Sequence, residues 1–303
     1  MRLALLRMLK PLSLHSSLSN NAARLLLNYV EDPEFRIRLA FAQQVHCLLE
    51  GECNTLEGRD HVSTAIAEQL AFLRDSAVAG GHAHTDTYIA TLVTVIQCEM
   101  PLQARNLVLD ALLLLFFDPR SHVTAYVRSL AVLRSHMLRD KHHVLKWVAH
   151  RLCLNPGEGE LLEHLALLCP AESEAAGGGG EFVSQNMHHL LPPVLLLASR
   201  DRRTEPLQIL ARSTGQKVKT LIVKHFPKVY AHIIVYAADR KHLDQACRFL
   251  REKTGVGMAD LISSDRFGVI EELLTQLSFS KSRVLQGRYR WYLLTFQFIV
   301  PNN

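Results

Sequence analysis

Apolar residues recurring at helical spacing, each stripe bounded by its own start and stop signals, constrain this chain more than any other feature. In residues 31–51, EDPEFRIRLAFAQQVHCLLEG, Ile37, Phe41, Val45, Leu48 and Leu49 fall on one helical face. Asp32 is placed to cap the first free amides, Pro33 suits the first helical position, and Gly51 suits the exit. The same period returns in 64–73, 87–98 and 103–117, punctuated by Gly80-Gly81 and Pro101, and again in 161–169. It resumes after Phe182, with stripes at Val218, Leu221, Ile222 and His225, at Val229, Tyr230, Ile233 and Ile234, and at Leu243, Ala246, Cys247 and Leu250. Strong helix formers outweigh β-branched and aromatic residues, so the expectation is an all-α chain. Such faces must be buried against neighbours, and stacking does this: the expected architecture is a HEAT-type α-solenoid of stacked antiparallel helix pairs.

One phrase sharpens that expectation. An Asp ahead of a helix, then an aliphatic-Arg pair with Ala following, is the pattern of the second helix in a HEAT-type repeat, here Asp32, Ile37, Arg38 and Ala40. A similar phrase, DPRSHVTAYVRSLAVL, occupies 118–133 with Val127, Arg128 and Ala131. Arg38 and Arg128 lie 90 residues apart, about two periods of ~40–47 residues. The organisation expected is a HEAT-like block over 1–169, a flexible Gly-rich loop over 170–181 and a second HEAT-like block over 182–287. Residues 288–303 do not conform: YRWYLLTFQFIVPNN (289–303) is aromatic and β-branched without helical period, and reads as a splice or gene-model artefact on a truncated chain.

Composition narrows the function classes. Hydrophobic residues at 48% and charged residues at 21%, with 15 Gly and 11 Pro, exclude collagen-like and disordered chains. The six cysteines lie in scattered, mostly apolar stretches without a C-x-x-C pair, which reads as reduced core thiols of a cytosolic or nuclear protein. Arg2, Arg7 and Lys10 interrupt any signal-peptide core, and the uncharged runs 111–117 and 190–198 fall short of the ~20 residues that cross a bilayer. No membrane or small-molecule partner is expected. The densest histidines, His82-x-His84, His142-His143 and His188-His189, are pairs where zinc needs three or four convergent ligands, so no metal or cofactor is expected. There is no G-x-S-x-G and no G-x-x-x-x-G-K-[ST]; Gly157-Glu158-Gly159 and Gly255-Val256-Gly257 read as turns. Asp239-Arg240-Lys241-His242 has a kinase-loop flavour but lacks the Asn and D-F-G that should follow, so Asp239 reads as a helix cap and no catalytic residue is assigned.

Charge is uneven. From Arg200 onward 18 Lys and Arg stand against 9 Asp and Glu, a balance of +9, leaving −4 for residues 1–199. Lys217, Lys219, Lys224 and Lys228 form a candidate basic contact face for phosphates, against the reading that they line the solvated outer side of a solenoid helix.

Within 182–277 the stretch LPPVLLLASRDRRTEPLQILARSTGQKVKTLIVKHFPKVYAHIIVYAADRKHLDQACRFLREKTGVGMADLISSDRFGVIEELL resembles the helical region of the ATR-type checkpoint kinases, in the phosphatidylinositol 3-kinase-related kinase family. The similarity lies in a leucine-proline helix, an aromatic and His-aliphatic phrase at Phe226, Tyr230, His232, Ile233 and Ile234, and a Leu-rich helix before Lys253-Thr254-Gly255. Asp32, Pro33, Arg36, Arg38, Ala40 and Phe41 match a second phrase of that family. The resemblance implies a nuclear, non-catalytic piece of the HEAT-repeat solenoid N-terminal to a Ser/Thr kinase domain in the DNA-damage and replication-stress response. Its implied partners are ATRIP and the rest of the kinase chain; the catalytic domain lies outside this sequence. Two alternatives remain: a free-standing HEAT-repeat adaptor, and a basic nucleic-acid-binding helical protein.

Overall fold

The computed structural model describes residues 2–8, 26–50, 56–117, 131–155, 160–166 and 178–279. Among these every regular element is a helix, so the all-α expectation holds. Contacts divide the chain into two compact units, Met1–His143 and Val144–Asn303, so the expected 170–181 loop falls inside the second unit.

The first unit contains α1 (Arg2–Arg7), a 3-10 turn (Asn28–Glu31), α2 (Phe35–Gln44), α3 (His46–Glu50), α4 (Leu56–Ala79), α5 (His82–Ile96), α6 (Leu102–Phe116) and α7 (Ala131–Arg139). The apolar stripe of 31–51 is buried as its spacing requires, but the helix it was expected to form is cut at Val45 and begins two residues later than Pro33. The Asp32 carboxylate does not cap it: Oδ1 accepts from the Glu34 amide at 2.9 Å and Oδ2 pairs with Arg2 Nη1 at 2.6 Å. Helix α2 packs on α1 and α5, α4 packs on α6, and α5 also touches α4 and α6. Tyr88 of α5 is fully buried, its hydroxyl donating to the Leu70 carbonyl of α4, and burial pushes its pKa well up. Gly81 turns the chain between α4 and α5 at φ 93°, where a β-carbon is strained.

The second unit takes in most of α8 (Lys141–Leu154), then α9 (Glu160–Ala166), α10 (Gly178–Gln185), α11 (Met187–Asp201), α12 (Glu205–Ser213), α13 (Val218–Lys224), α14 (Phe226–Tyr236), α15 (Arg240–Thr254), α16 (Met258–Ser264) and α17 (Arg266–Phe279). The glycine run is partly helical: Gly178–Gly180 open α10, which packs on α9, against the loop expected over 170–181. Residues 170–177, the tail 288–303 and most of the second HEAT-like phrase lie outside the described residues; Ala131–Leu133 of that phrase open α7. Helix α11 carries Pro192 and Pro193 internally, removing two successive donors from its hydrogen-bond ladder. It still buries Leu190, Leu191, Val194, Leu195 and Ala198. Helix α14 lies between α11 and α17, while α15 packs on α13 and α11. That sandwich explains why Val229, Ala231, Ile233 and Ile234 are buried around much of α14's girth.

Candidate basic contact surface

The turn Thr214-Gly215, with Gly215 at φ 64°, ends α12, and Lys217 then occupies the extended N-cap of α13. Leu221 and Ile222 turn inward, which forces Lys219, Val223 and Lys224 outward. His225 separates α13 from α14, and Pro227 in the first turn of α14 restarts the helix as its fixed φ allows. Lys217, Lys219 and Lys224 are exposed and Lys228 is half-buried. None of the four has an ion-pair partner among the described residues. Local sequence accounts for this: from Pro206 to Ala238 there is no Asp or Glu, while Arg212 and the four lysines all fall there.

The structure adds groups that linear reading left apart. His188, at the start of α11, lies close enough to His225 for their charges to interact, although 37 residues separate them. His188 is itself in ring contact with His189 at 4.0 Å between centroids. Burial, then Lys224, His188 and Lys228, lower the pKa of His225; no carboxylate is among the charges acting on it. The surface can attract anions, and the His225 imidazole resists protonation.

Other candidates resolve into structural roles. The Asp239 carboxylate accepts from the His242 amide at 2.7 Å, capping α15, and the His242 ring contacts the Leu196 carbonyl of α11 at 3.2 Å. Gly255 closes α15 in the left-handed conformation at φ 66°; Gly157–Gly159 lie outside the described residues. His143 pairs with Asp110 of α6 at 2.6 Å. Beside it Arg105 Nη1 stands 3.6 Å from Asp140, and the buried Arg105 Nε and Asp140 Oδ2 make no hydrogen bond. No group of three or more His, Cys, Asp or Glu able to hold a metal occurs among the described residues, and no helix among them is long and apolar enough to cross a membrane. Cys153 and Cys247 have thiols pushed up to about 12 and about 11, chiefly by burial.

The buried arginine of the HEAT-like phrase is also placed. Arg38, 2% exposed, donates from Nε to Thr87 Oγ1 of α5 at 3.1 Å and from Nη1 to the carbonyls of Asp32 at 2.6 Å and Pro33 at 3.2 Å. It ties the entry of α2 to the helix packed against it. The sequence marks Arg38 as a motif residue, but nothing in it points to Thr87 as the partner. Neither a protein-family model, nor a curated protein, nor a solved structure matches the chain.

Proposed function

We propose that this chain is a non-catalytic HEAT-type scaffold, a segment of the solenoid that precedes the kinase domain in an ATR-type checkpoint kinase, serving partner binding and assembly in the nucleus. The observation that supports it most is the Arg38 node. The Asp and Arg of the repeat phrase meet at the mouth of α2 through the Asp32 carbonyl, and the guanidinium bridges to the adjacent helix. Residues that carry the resemblance therefore serve helix-on-helix packing, as a stacking repeat requires. In the second unit, α11, α14 and α17 follow one another in contact while α13 and α15 pair beside them, an arrangement in keeping with two-layered stacking.

The test is co-expression of the 303-residue chain with ATRIP, and separately with the kinase-bearing remainder of an ATR-type chain, followed by size-exclusion chromatography. Co-elution with either at micromolar concentration is the expected result, together with nuclear fluorescence of a tagged chain. A chain that elutes alone in both mixtures overturns the kinase-scaffold reading and leaves the free-standing adaptor.

A further inference from the structure

We infer that Lys217, Lys219, Lys224 and Lys228, joined by His188 and His225, form a docking face for the phosphodiester backbone of duplex nucleic acid, and that docking is coupled to imidazole protonation. This rests on the surface itself and is independent of the kinase-family reading.

Four observations carry it. The lysines project from a stretch of 33 residues without a carboxylate, so their field is not cancelled locally. They are ammonium point charges, which suit phosphate oxygens and demand no fixed fork geometry. Lys217 at the N-cap of α13 and Lys224 at its last residue are offset by about 10 Å along the axis, enough for each to meet a separate phosphate. The aromatic next to the lysines is already engaged: Phe226 is buried and stacked on Tyr230 at 5.5 Å, so it offers no face to an unpaired base, which favours a duplex read through its backbone. An acidic helical peptide would seek an apolar groove, and α13 exposes only Val223 among its large apolar side chains.

The proton coupling follows from placement. The groups acting on His225 are Lys224 and Lys228 from its own segment and His188 from α11, all of which oppose its charging. A phosphate docked among them reverses that opposition, so the bound state holds a proton more tightly than the free state. Affinity therefore rises as pH falls through the bound-state pKa, and levels off below the free-state value.

The experiment is fluorescence anisotropy of a labelled 20-base-pair DNA duplex titrated with the full chain. Four lysine-phosphate contacts give a slope of log affinity against log salt of about −3.6, or about 150-fold weaker binding at 200 mM than at 50 mM salt. The variant carrying Lys217→Gln, Lys219→Gln, Lys224→Gln and Lys228→Gln is expected to lose most of that slope, and Lys141→Gln with Lys146→Gln to keep it. From pH 7.5 to 6.0 the native chain is expected to bind about five-fold tighter or more, against a ceiling of about 30-fold for one proton taken up. His188→Gln with His225→Gln removes that gain; should this pair lower helical content by circular dichroism, the His225 ring resonance titrated with and without duplex reads the same uptake. An unchanged slope in the lysine variant, an equal loss in the Lys141 and Lys146 control, a pH gain that survives loss of both imidazoles, or an unmoved His225 titration overturns the proposal. So does poly-glutamate of equal charge displacing the duplex, which assigns the face to an acidic protein.

Discussion

Replacing Arg38 by Ala removes a guanidinium that makes three hydrogen bonds in a site 2% exposed. Hydrogen bonds from a charged donor are worth about 1.5–3 kcal/mol each, but these three share one side chain and do not add. The bonded partners are a hydroxyl and two carbonyls; leaving buried acceptors unmet costs about 1–3 kcal/mol, and the cavity adds to that, so about 3–4 kcal/mol is expected for Arg38→Ala. Arg38→Met fills most of the volume and removes the desolvated charge, and should cost about 1–2 kcal/mol. Arg38→Lys keeps a charge without the fork that reaches Thr87 and two carbonyls together, and should fall nearer to Ala than to Met. Thr87→Val, combined with Arg38→Ala, should show a coupling of about 1 kcal/mol, since each single change already breaks the shared bond. Urea unfolding followed by circular dichroism measures the loss. Hydrogen exchange in 35–44 and 82–96 assigns it to the first unit, which is needed because two units can unfold separately. At about 2–4 °C per kcal/mol for a unit of this size, Arg38→Ala should melt about 6–16 °C lower in that unit. A cost below about 1 kcal/mol, or no coupling to Thr87, would refute the reasoning that Arg38 holds α2 against α5.

Asp239→Ala should cost about 1 kcal/mol by removing the cap of α15, while Asp239→Asn keeps most of it; equal losses in urea melts would argue against capping. The raised pKa values of Cys153 and Cys247 keep both thiols protonated at pH 8, so alkylation of the folded chain should run at least about 100-fold slower there than for a free thiol, accelerating to normal on unfolding; mass spectrometry of timed iodoacetamide reactions decides it. Burial first, then Arg139, lowers the pKa of His136, and His225 shifts the same way, so below about pH 6.5 the unfolded chain binds more protons than the folded one. Stability should accordingly drop as pH falls from 6.5 towards 5.5, and His136→Gln should lessen the difference between urea midpoints at pH 7.5 and 5.5; an undiminished difference would assign the loss elsewhere.

What the sequence disclosed was helix existence and the inward face of each helix. Ile37, Phe41, Val45, Leu48 and Leu49 are buried because period 3.6 fixes direction regardless of partner. Helix ends were less legible, since a capping residue can be drawn elsewhere: Asp32 binds Glu34 and Arg2, and α2 starts after it. Low complexity misled at Gly178–Gly180, where packing of α10 on α9 outweighs the entropic cost of helical glycine. The basic face was visible as lysines with His225 among them, but not its second imidazole, His188, because periodicity says which way a side chain points and never which distant helix it meets. Arg38 with Thr87, and His188 with His225, are both of that kind.

Pro192 and Pro193 have a consequence for when this protein can fold. The gap they leave splits α11 into pieces of five and eight residues, each below the ~12–15 at which an isolated helix begins to hold in water. Helix α11 is therefore made by its neighbours, and its main ones, α14 and α15, follow it in the chain. On a ribosome adding about 5–20 residues per second, roughly 50 further residues must emerge before α15 is complete, some 3–10 s during which the leucines of α11 lack their full set of packing partners. That interval is when the nascent chain is most exposed to chaperones and to aggregation, and slowing synthesis across 202–254 would lengthen it.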